Sequence, residues 1–467
     1  MDKLIGFVQD HLTDDVSRLI LDRKKWPEID MELAVNCIES RRKLKGKVPE
    51  WYDEPKLIFP LKLSAEQCSS SLTGRYKSEL ALRIASYRSN IADLTGGFGV
   101  DSWYFSKIAA QVLYCERLEV LCNAASHNFD VLGADNVIVR NCSVVPENSP
   151  ATSAANSDTA DTEAVTVTSL LSDFHPDIVF IDPARRGEGG RKVFLPEDCT
   201  PDVLTLKDEI FAFSRHLLIK LSPMADITMV CDRLGEHCRE VHIVGSSGEC
   251  KELLVWMDRE WNGEYSITAV EPSAGAESAS SSLTFKPSEE RQAAAEVAAT
   301  DEIYAAEILF EPGKTLMKSG GYNTICLRYG LKKLGKSTHY YIPSQKSDIS
   351  AIESFADLKS LGKIFRILRT VPLDRRGIRS ISGEYPKADV TARNLPMDTD
   401  TLRKKLGTAS SGSYHIFGLK SDTAGNLLIA TERYRNVERK ALTCFTLHGK
   451  ISSDAQDAED QERPSPG

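Results

Sequence analysis

Asn90-Ile91-Ala92-Asp93-Leu94-Thr95-Gly96-Gly97-Phe98-Gly99-Val100-Asp101 is a short apolar strand that runs into a glycine bend, and a helical pattern through Trp103, Tyr104, Ile108 and Ala109 follows at once. Strand, bend and helix without a gap predict the first βα unit of a parallel sheet. Glycine is required where the backbone turns sharply and a ligand approaches closely, because a β-carbon would stand in the way. The free amides and dipole of the helix N-terminus favour an anionic group such as a carboxylate. The full G-x-G-x-x-G spacing of dinucleotide sites is missing, since Val100, Asp101 and Ser102 follow Gly97 and Gly99; this weakens a nicotinamide reading. The next apolar run ends on Glu116. An acid there can accept hydrogen bonds from both ribose hydroxyls of a nucleoside. Alone it reads as a solvated strand-end acid, but at this separation from the glycine bend the nucleoside reading is favoured.

Outward from this unit, short Val- and Ile-rich runs alternate with helical patterns from Ser89 to Trp261. Strands are expected at 91–94, 112–116, 137–139, 178–182, 217–221, 241–244 and 253–256, which makes a mostly parallel, seven-stranded α/β sheet over a domain at 87–262. Residues 1–86 read as a helical N-terminal region, with apolar positions such as Phe7, Val16, Leu19 and Ile20 at helical spacing. A Ser/Thr/Ala/Asp-rich stretch at 146–163 reads as a flexible insertion and 263–300 as a linker. Small α+β regions follow at 301–345 and 360–440, and the acidic tail at 452–467 is expected to be disordered.

The 467 residues suffice for roughly two to four domains. Acid comes too early in the chain for a signal peptide, and no run reaches the roughly 18 apolar residues that would cross a bilayer, so no membrane partner and a cytoplasmic location are expected. The 11 cysteines lack C-x-x-C spacing and read as reduced structural thiols. His127, His175 and His242 have no ligand-like spacing with cysteine or acid, and no metal is expected. A net charge of −9 hides a local excess, because residues 363–440 carry 16 Lys or Arg against 8 Asp or Glu. A cationic module on an acidic body fits a polyanion such as RNA; an ordinary solvated surface is the equal alternative.

The run Asp-x-Thr-x-Gly-x-Gly, the acid ending the second strand and Asp182-Pro183-Ala184-Arg185-Arg186 after the fourth resemble the class I S-adenosylmethionine-dependent methyltransferases. The resemblance is closer to a bacterial subgroup in which this Rossmann-like domain follows a helical region and precedes a ferredoxin-like and a THUMP-like domain. Its marks are Glu66-Gln67-Cys68-Ser69-Ser70, Tyr76-Lys77, Lys220-Leu-Ser-Pro-Met224, Glu249-Cys-Lys-Glu-Leu253, Pro386–Asn394 and Leu402-Arg-Lys-Lys405.

What the resemblance implies is S-adenosyl-L-methionine as cofactor, held by Asp93, Thr95, Gly96, Gly97, Phe98, Gly99, Asp101 and Glu116, with Cys142 in the region that contacts the adenine. Gln67, Ser69, Tyr76 and Lys77 either close over the cofactor or pack and cap helices. Asp182, Pro183, Ala184 and Arg185 take the catalytic edge, similar to the motif with which amino-methyltransferases grip an amine, although Ala184 replaces a proline and Arg185 an aromatic. A covalent C5 mechanism is disfavoured, because Lys220-Leu221-Ser222-Pro223 stands where a nucleophilic cysteine is needed. Arg186, Lys220, Arg375, Arg376 and Arg393 are the expected substrate contacts, with a structured RNA (tRNA or rRNA) as partner and a base, preferably its exocyclic amine, as acceptor. A non-catalytic RNA-binding or assembly factor with a relict pocket and a small-molecule methyltransferase stay open as alternatives. Oligomeric state is not legible.

Overall fold

Four consecutive buried residues, Ile178-Val-Phe-Ile181, mark the centre of the main sheet, since a strand covered on both faces reads as continuous apolar sequence. A computed structural model of the chain describes residues 2–147, 163–185, 199–272, 282–344, 358–410 and 412–434. Most of the expected insertion at 146–163, the tail at 452–467 and Arg186 lie outside the described residues. The strands in chain order are β1 (Asn90–Asp93), β2 (Gln111–Glu116), β3 (Val137–Val145), β4 (Glu163–Thr166), β5 (Ile178–Ile181), β6 (Ala184–Arg185), β7 (Cys199–Thr200), β8 (His216–Leu221), β9 (Cys238–Ser246), β10 (Glu249–Asp258), β11 (Ser266–Val270) and β12 (Ser282–Phe285).

Ten of them form one sheet in the order β12-β11-β9-β10-β8-β5-β1-β2-β3-β4. β1 pairs in parallel with both β2 and β5, and β5 with β8, whereas β10 runs antiparallel between β8 and β9. Strand order reverses beside β1, so the crevice at its carboxyl end is the natural ligand site. Three strands exceed the seven expected. β4 adds to β3, and β11 and β12, which fall inside the stretch read as a linker at 263–300, extend the far edge. Both are short, and only Ile267, Ala269, Val270, Leu283 and Phe285 bury apolar surface, so their pattern is weak in sequence.

The N-terminal helices pack onto the sheet through an aromatic cluster in which Trp51, Phe59 and Phe98 stack with centroids 5.3 to 6.2 Å apart. Buried Arg41 in helix Met31–Leu44 organises the chain after helix Pro49–Asp53. Its guanidinium donates to the carbonyls of Tyr52 (2.8 Å), Glu54 (2.9 Å), Pro55 (3.1 Å) and Leu57 (3.0 Å). Burial lowers the pKa of this group, yet carbonyl oxygens replace its water.

The second sheet holds β13 (Ile308–Pro312), β14 (Leu331–Lys333), β15 (Tyr341–Pro343), β16 (Gly362–Pro372), β17 (Asp389–Arg393), β18 (Tyr414–Ser421) and β19 (Gly425–Arg433) in the order β14-β15-β13-β16-β19-β18-β17. The two C-terminal regions seen in sequence thus share one sheet, joined where Ile308–Pro312 pairs antiparallel with residues 366–362. Helix Lys314–Ser319 packs against β9, β10 and β11 and links this sheet to the first. No helix among the described residues is long and apolar enough to cross a membrane.

An Arg41→Met variant keeps the apolar stem but leaves these carbonyls without a donor, and it should destabilise the protein by about 3 kcal/mol. Urea denaturation measures this, and an unchanged midpoint would mean that water substitutes for the guanidinium.

Candidate functional site

The glycine bend leaves β1 and is tied down on both flanks. Gly96 N–H donates to the Cys115 carbonyl (2.7 Å), and the Tyr114 hydroxyl donates to the Gly97 carbonyl (2.6 Å). On the other flank, Asp182 N–H donates to the Thr95 hydroxyl (2.6 Å), locking the end of β5 to the bend. Gly97 and Gly99 have φ of +53° and +90°, a region that side chains disfavour. At Gly96 the reason is space, because a β-carbon would lie 2.1 Å from the Tyr114 ring. Gly99 then caps helix Val100–Ser106.

A cleft of about 1050 Å³ opens over this bend, and its lining includes Asp93, Thr95, Gly96, Gly97, Phe98, Gly99, Asp101, Glu116, Cys142, Asp182, Pro183, Ala184 and Lys220. The expected cofactor residues therefore meet Asp182, Pro183 and Ala184 of the expected catalytic edge in one place, but their roles divide. Glu116 accepts from Gly97 N–H (3.0 Å) and Leu118 N–H (2.8 Å), one bond to each oxygen. A carboxylate oxygen has a second lone pair, so both can still accept from a ligand. Asp93 is buried and spends its oxygens on Thr95 N–H (3.0 Å) and the Ser102 hydroxyl (2.6 Å), which makes it a brace for the bend. The Phe98 ring belongs to the aromatic cluster with Trp51 and Phe59.

A compact charged network forms part of the cleft wall: Ser69, Asp101, Asp182, Lys220 and Glu252 are on the lining, and Lys77 lies behind them. Lys77, 0 % exposed, meets Glu252 Oε2 at 2.5 Å and Asp101 Oδ1 at 3.2 Å. Lys220 meets Asp182 Oδ2 at 2.6 Å and Asp101 Oδ2 at 3.9 Å. Ser69 Oγ stands among them, 2.7 Å from Asp101 Oδ2, 3.0 Å from Lys77 Nζ, 3.2 Å from Lys220 Nζ and 3.3 Å from Glu252 Oε1. Helix Ser71–Ile84 delivers Lys77, started by a capping box between Ser70 and Thr73. A register shift between Cys250 and Glu252 in β10 re-aims the strand where Glu252 enters. Burial pushes the Glu252 carboxyl up, but Lys77 and Lys220 outweigh it and hold the pKa at about 2. For Lys220 burial acts downward and is overcome by Asp182, Glu252 and Asp101, which raise it. Asp182 is raised by burial, with Lys220 opposing. Glu252 was not among the site residues expected from sequence, although its segment was; Ser69 and Lys77 were expected either to close over the cofactor or to pack helices.

The expected substrate arginines are distributed differently. Arg375 and Arg376 are exposed in helix Arg375–Glu384 and are not on the cleft lining. Arg393 lies 4.3 Å over the Tyr340 ring, donates to the His339 carbonyl (3.3 Å) and sits 3.6 Å from Glu311 Oε1, so it contacts the neighbouring module. Of the basic cluster, Arg366 pairs with Glu432, Arg369 with Glu384 and Arg403 with Asp400. Among the described residues no group of three or more His, Cys, Asp or Glu could hold a metal ion.

Two family models match the chain, a THUMP domain-like module at residues 362–433 and a ferredoxin-like domain at residues 309–349. A solved structure from Porphyromonas gingivalis W83, titled "putative methyltransferase", is 25% identical over 93% of this chain and 98% of that one, with a TM-score of 0.72. A SAM dependent methyltransferase from Aquifex aeolicus reaches 13% identity and a TM-score of 0.28, covering 42% of this chain and 96% of its own. A precorrin-6y C5,15-methyltransferase from Geobacter metallireducens GS-15 reaches 14% and 0.24, covering 45% and 82%. No curated protein matches. The main sheet and its cleft define a Rossmann-like methyltransferase fold. The chain carries it together with a ferredoxin-like and a THUMP-like domain, and it shares nearly its whole length with the Porphyromonas protein.

Burial pushes the Asp93 carboxyl up to about 7, against the Ser102 and Thr95 hydrogen bonds. Between pH about 4 and 7 the native state then holds a proton that the unfolded chain has released, so stability falls as pH rises through that window, by up to about 1.4 kcal/mol per pH unit. Asp93→Asn does not titrate; its oxygen can accept from Thr95 N–H and its amide nitrogen can donate to a reoriented Ser102 hydroxyl, and it should flatten the stability curve there. Parallel curves for variant and wild type would contradict the assignment.

Proposed function

We propose that the chain is an S-adenosyl-L-methionine-dependent methyltransferase acting on a base of structured RNA, with an exocyclic amine as the acceptor. The observation that carries this reading is the meeting of the glycine bend, Glu116 and Asp182 at the carboxyl ends of β1, β2 and β5 in one cleft. The cofactor fits the residues present. At Gly97 an added β-carbon would meet only the Thr95 carbonyl, at 3.7 Å, which leaves open space above the bend. Glu116 would hold the ribose hydroxyls with its remaining lone pairs, and Cys142 lies on the lining for the adenine side. When bound, the cofactor supplies an electrophilic methyl group on a sulfonium.

The chain's own residues position the acceptor. Lys220 occupies Asp182 Oδ2, while the Asp182 side chain stays 38 % exposed and can accept a hydrogen bond from an N–H of the acceptor. That bond aims the nitrogen lone pair into the cleft, and such orientation lowers a barrier by several kcal/mol (~7–11 at most). Burial raises the Asp182 pKa, which makes the carboxylate a better acceptor for the proton the amine loses. RNA as substrate is supported by the THUMP-like module and by its excess of Lys and Arg, which suit phosphate contacts. A paired target base would have to leave its stack to reach the cleft.

Methyl-labelled cofactor incubated with the full chain and total RNA from cells lacking it should label RNA. Asp182→Ala should retain cofactor binding by calorimetry and lose about 100-fold or more in transfer rate. Label found in protein or in a small molecule, with RNA unlabelled, would refute the substrate; absence of binding to the cofactor or its demethylated product would refute the enzyme.

A further inference from the structure

The N-terminal helical region contributes two polar side chains to this network, Ser69 on the cleft lining and Lys77 behind it. Lys77 is wholly buried, and a buried ammonium costs several kcal/mol unless it is paired (~3–5 when a partner is removed). An apolar residue would pack helix Ser71–Ile84 without that cost. The ammonium instead lies against Glu252 and Asp101, acids from β10 and from the helix after the glycine bend. Ser69 has one proton to donate and two lone pairs. At 2.7 Å the proton goes to Asp101, and the lone pairs accept from Lys77 and Lys220, the two ammonium groups.

Lys220 is thereby the shared member. It has Asp182 on one side, at 2.6 Å, and Asp101 on the other, at 3.9 Å. Asp101 and Glu252 would compete with Asp182 for this one ammonium if nothing else neutralised them. Lys77 does so from the opposite side, and the Ser69 hydroxyl fixes the point between the two cations.

We infer that Lys77 and Ser69 are positioning residues for the reaction: by satisfying Asp101 and Glu252 they commit Lys220 to Asp182 and so set the charge and direction of the acceptor-binding carboxylate. The inference rests on the proposed role of Asp182. It makes the helical region part of the active centre. The charged groups that act on Asp182 are Lys220, Asp101 and Glu252, with Asp93 behind the bend, and Lys47 and Cys68 act on the Lys220 side.

The test follows the Asp182 carboxyl directly. Full-length protein labelled with ¹³C at the aspartate side-chain carboxyl is titrated, and Asp182 is assigned by the signal lost in Asp182→Asn. Lys77→Met should raise the Asp182 midpoint by on the order of one pH unit, since a cation is lost within the same network. Ser69→Ala removes no charge and is expected to fold. It should raise the midpoint in the same direction, because Asp101 then draws Lys220 away. Lys77→Arg, which keeps the charge, should bring the midpoint back toward wild type. The acid limb of the pH profile for label transfer to RNA should move with the titration. An Asp182 midpoint unmoved in Ser69→Ala overturns the inference, even if Lys77→Met proves unfolded. A moved midpoint in a protein that binds no methyl donor would instead defeat the methyltransferase reading while leaving the electrostatic coupling intact.

Discussion

Charge that cannot reach water has to be compensated inside the protein, and the arrangement of this chain turns on one place where that happens. Around Ser69 Oγ, two lysines and three carboxylates from five different segments meet at the wall of the cleft. One of those segments, the helix that carries Lys77, belongs to the N-terminal region, as does Ser69 itself, and the other four belong to the sheet domain. Removing any one partner would strand another, and an uncompensated buried charge costs more than a lost packing contact (~3–5 kcal/mol). The network therefore fixes how the helices sit on the sheet, and through Thr95 and Asp182 it is continuous with the glycine bend.

The bend itself was legible from sequence because its requirement is local. Positive φ at Gly97 and Gly99 and the crowding of Gly96 by Tyr114 depend on neighbours a few residues away or on the adjacent strand. Glu116 was legible for the same reason, as the last residue of the strand next to β1. The charged network was not. Lys77 and Glu252 are separated by 175 positions, and nothing in either segment states that they meet. Their short motifs marked both segments, but only the fold distinguishes a solvated lysine from one with no exposed surface. The same limit applies to Arg393, which counts as cationic charge in composition yet lies across an aromatic ring beside a carboxylate.

Strand periodicity had a similar reach. The buried strand β5 carries uninterrupted apolar sequence and stands out, and β8 does so through Leu217–Ile219 before Lys220. β11 and β12 do not, because Ser-Ile-Thr-Ala-Val and Ser-Leu-Thr-Phe are short and mix apolar with polar residues, and β12, the outermost strand, follows a stretch rich in alanine, serine and glutamate. The edge they form matters for what comes after, since helix Lys314–Ser319 packs against β11 and its neighbours. The ferredoxin-like segment is in this way seated on the catalytic sheet, and a single apolar cluster runs from Leu217 and Ile243 through Leu283 and Leu316 to Tyr341 and Ile364.

The ladder between Ile308–Pro312 and residues 362–366 then joins the ferredoxin-like strand to the THUMP-like one within a single sheet. Modules connected by strand pairing and a shared apolar core are bolted together, and they do not swing as beads on a flexible linker would. Under the proposed function, the fixed separation would act as a ruler for an RNA gripped at the far end: only a molecule whose reacting unit lies that distance from the gripped part would reach the cleft, so length and shape would select before any base is read.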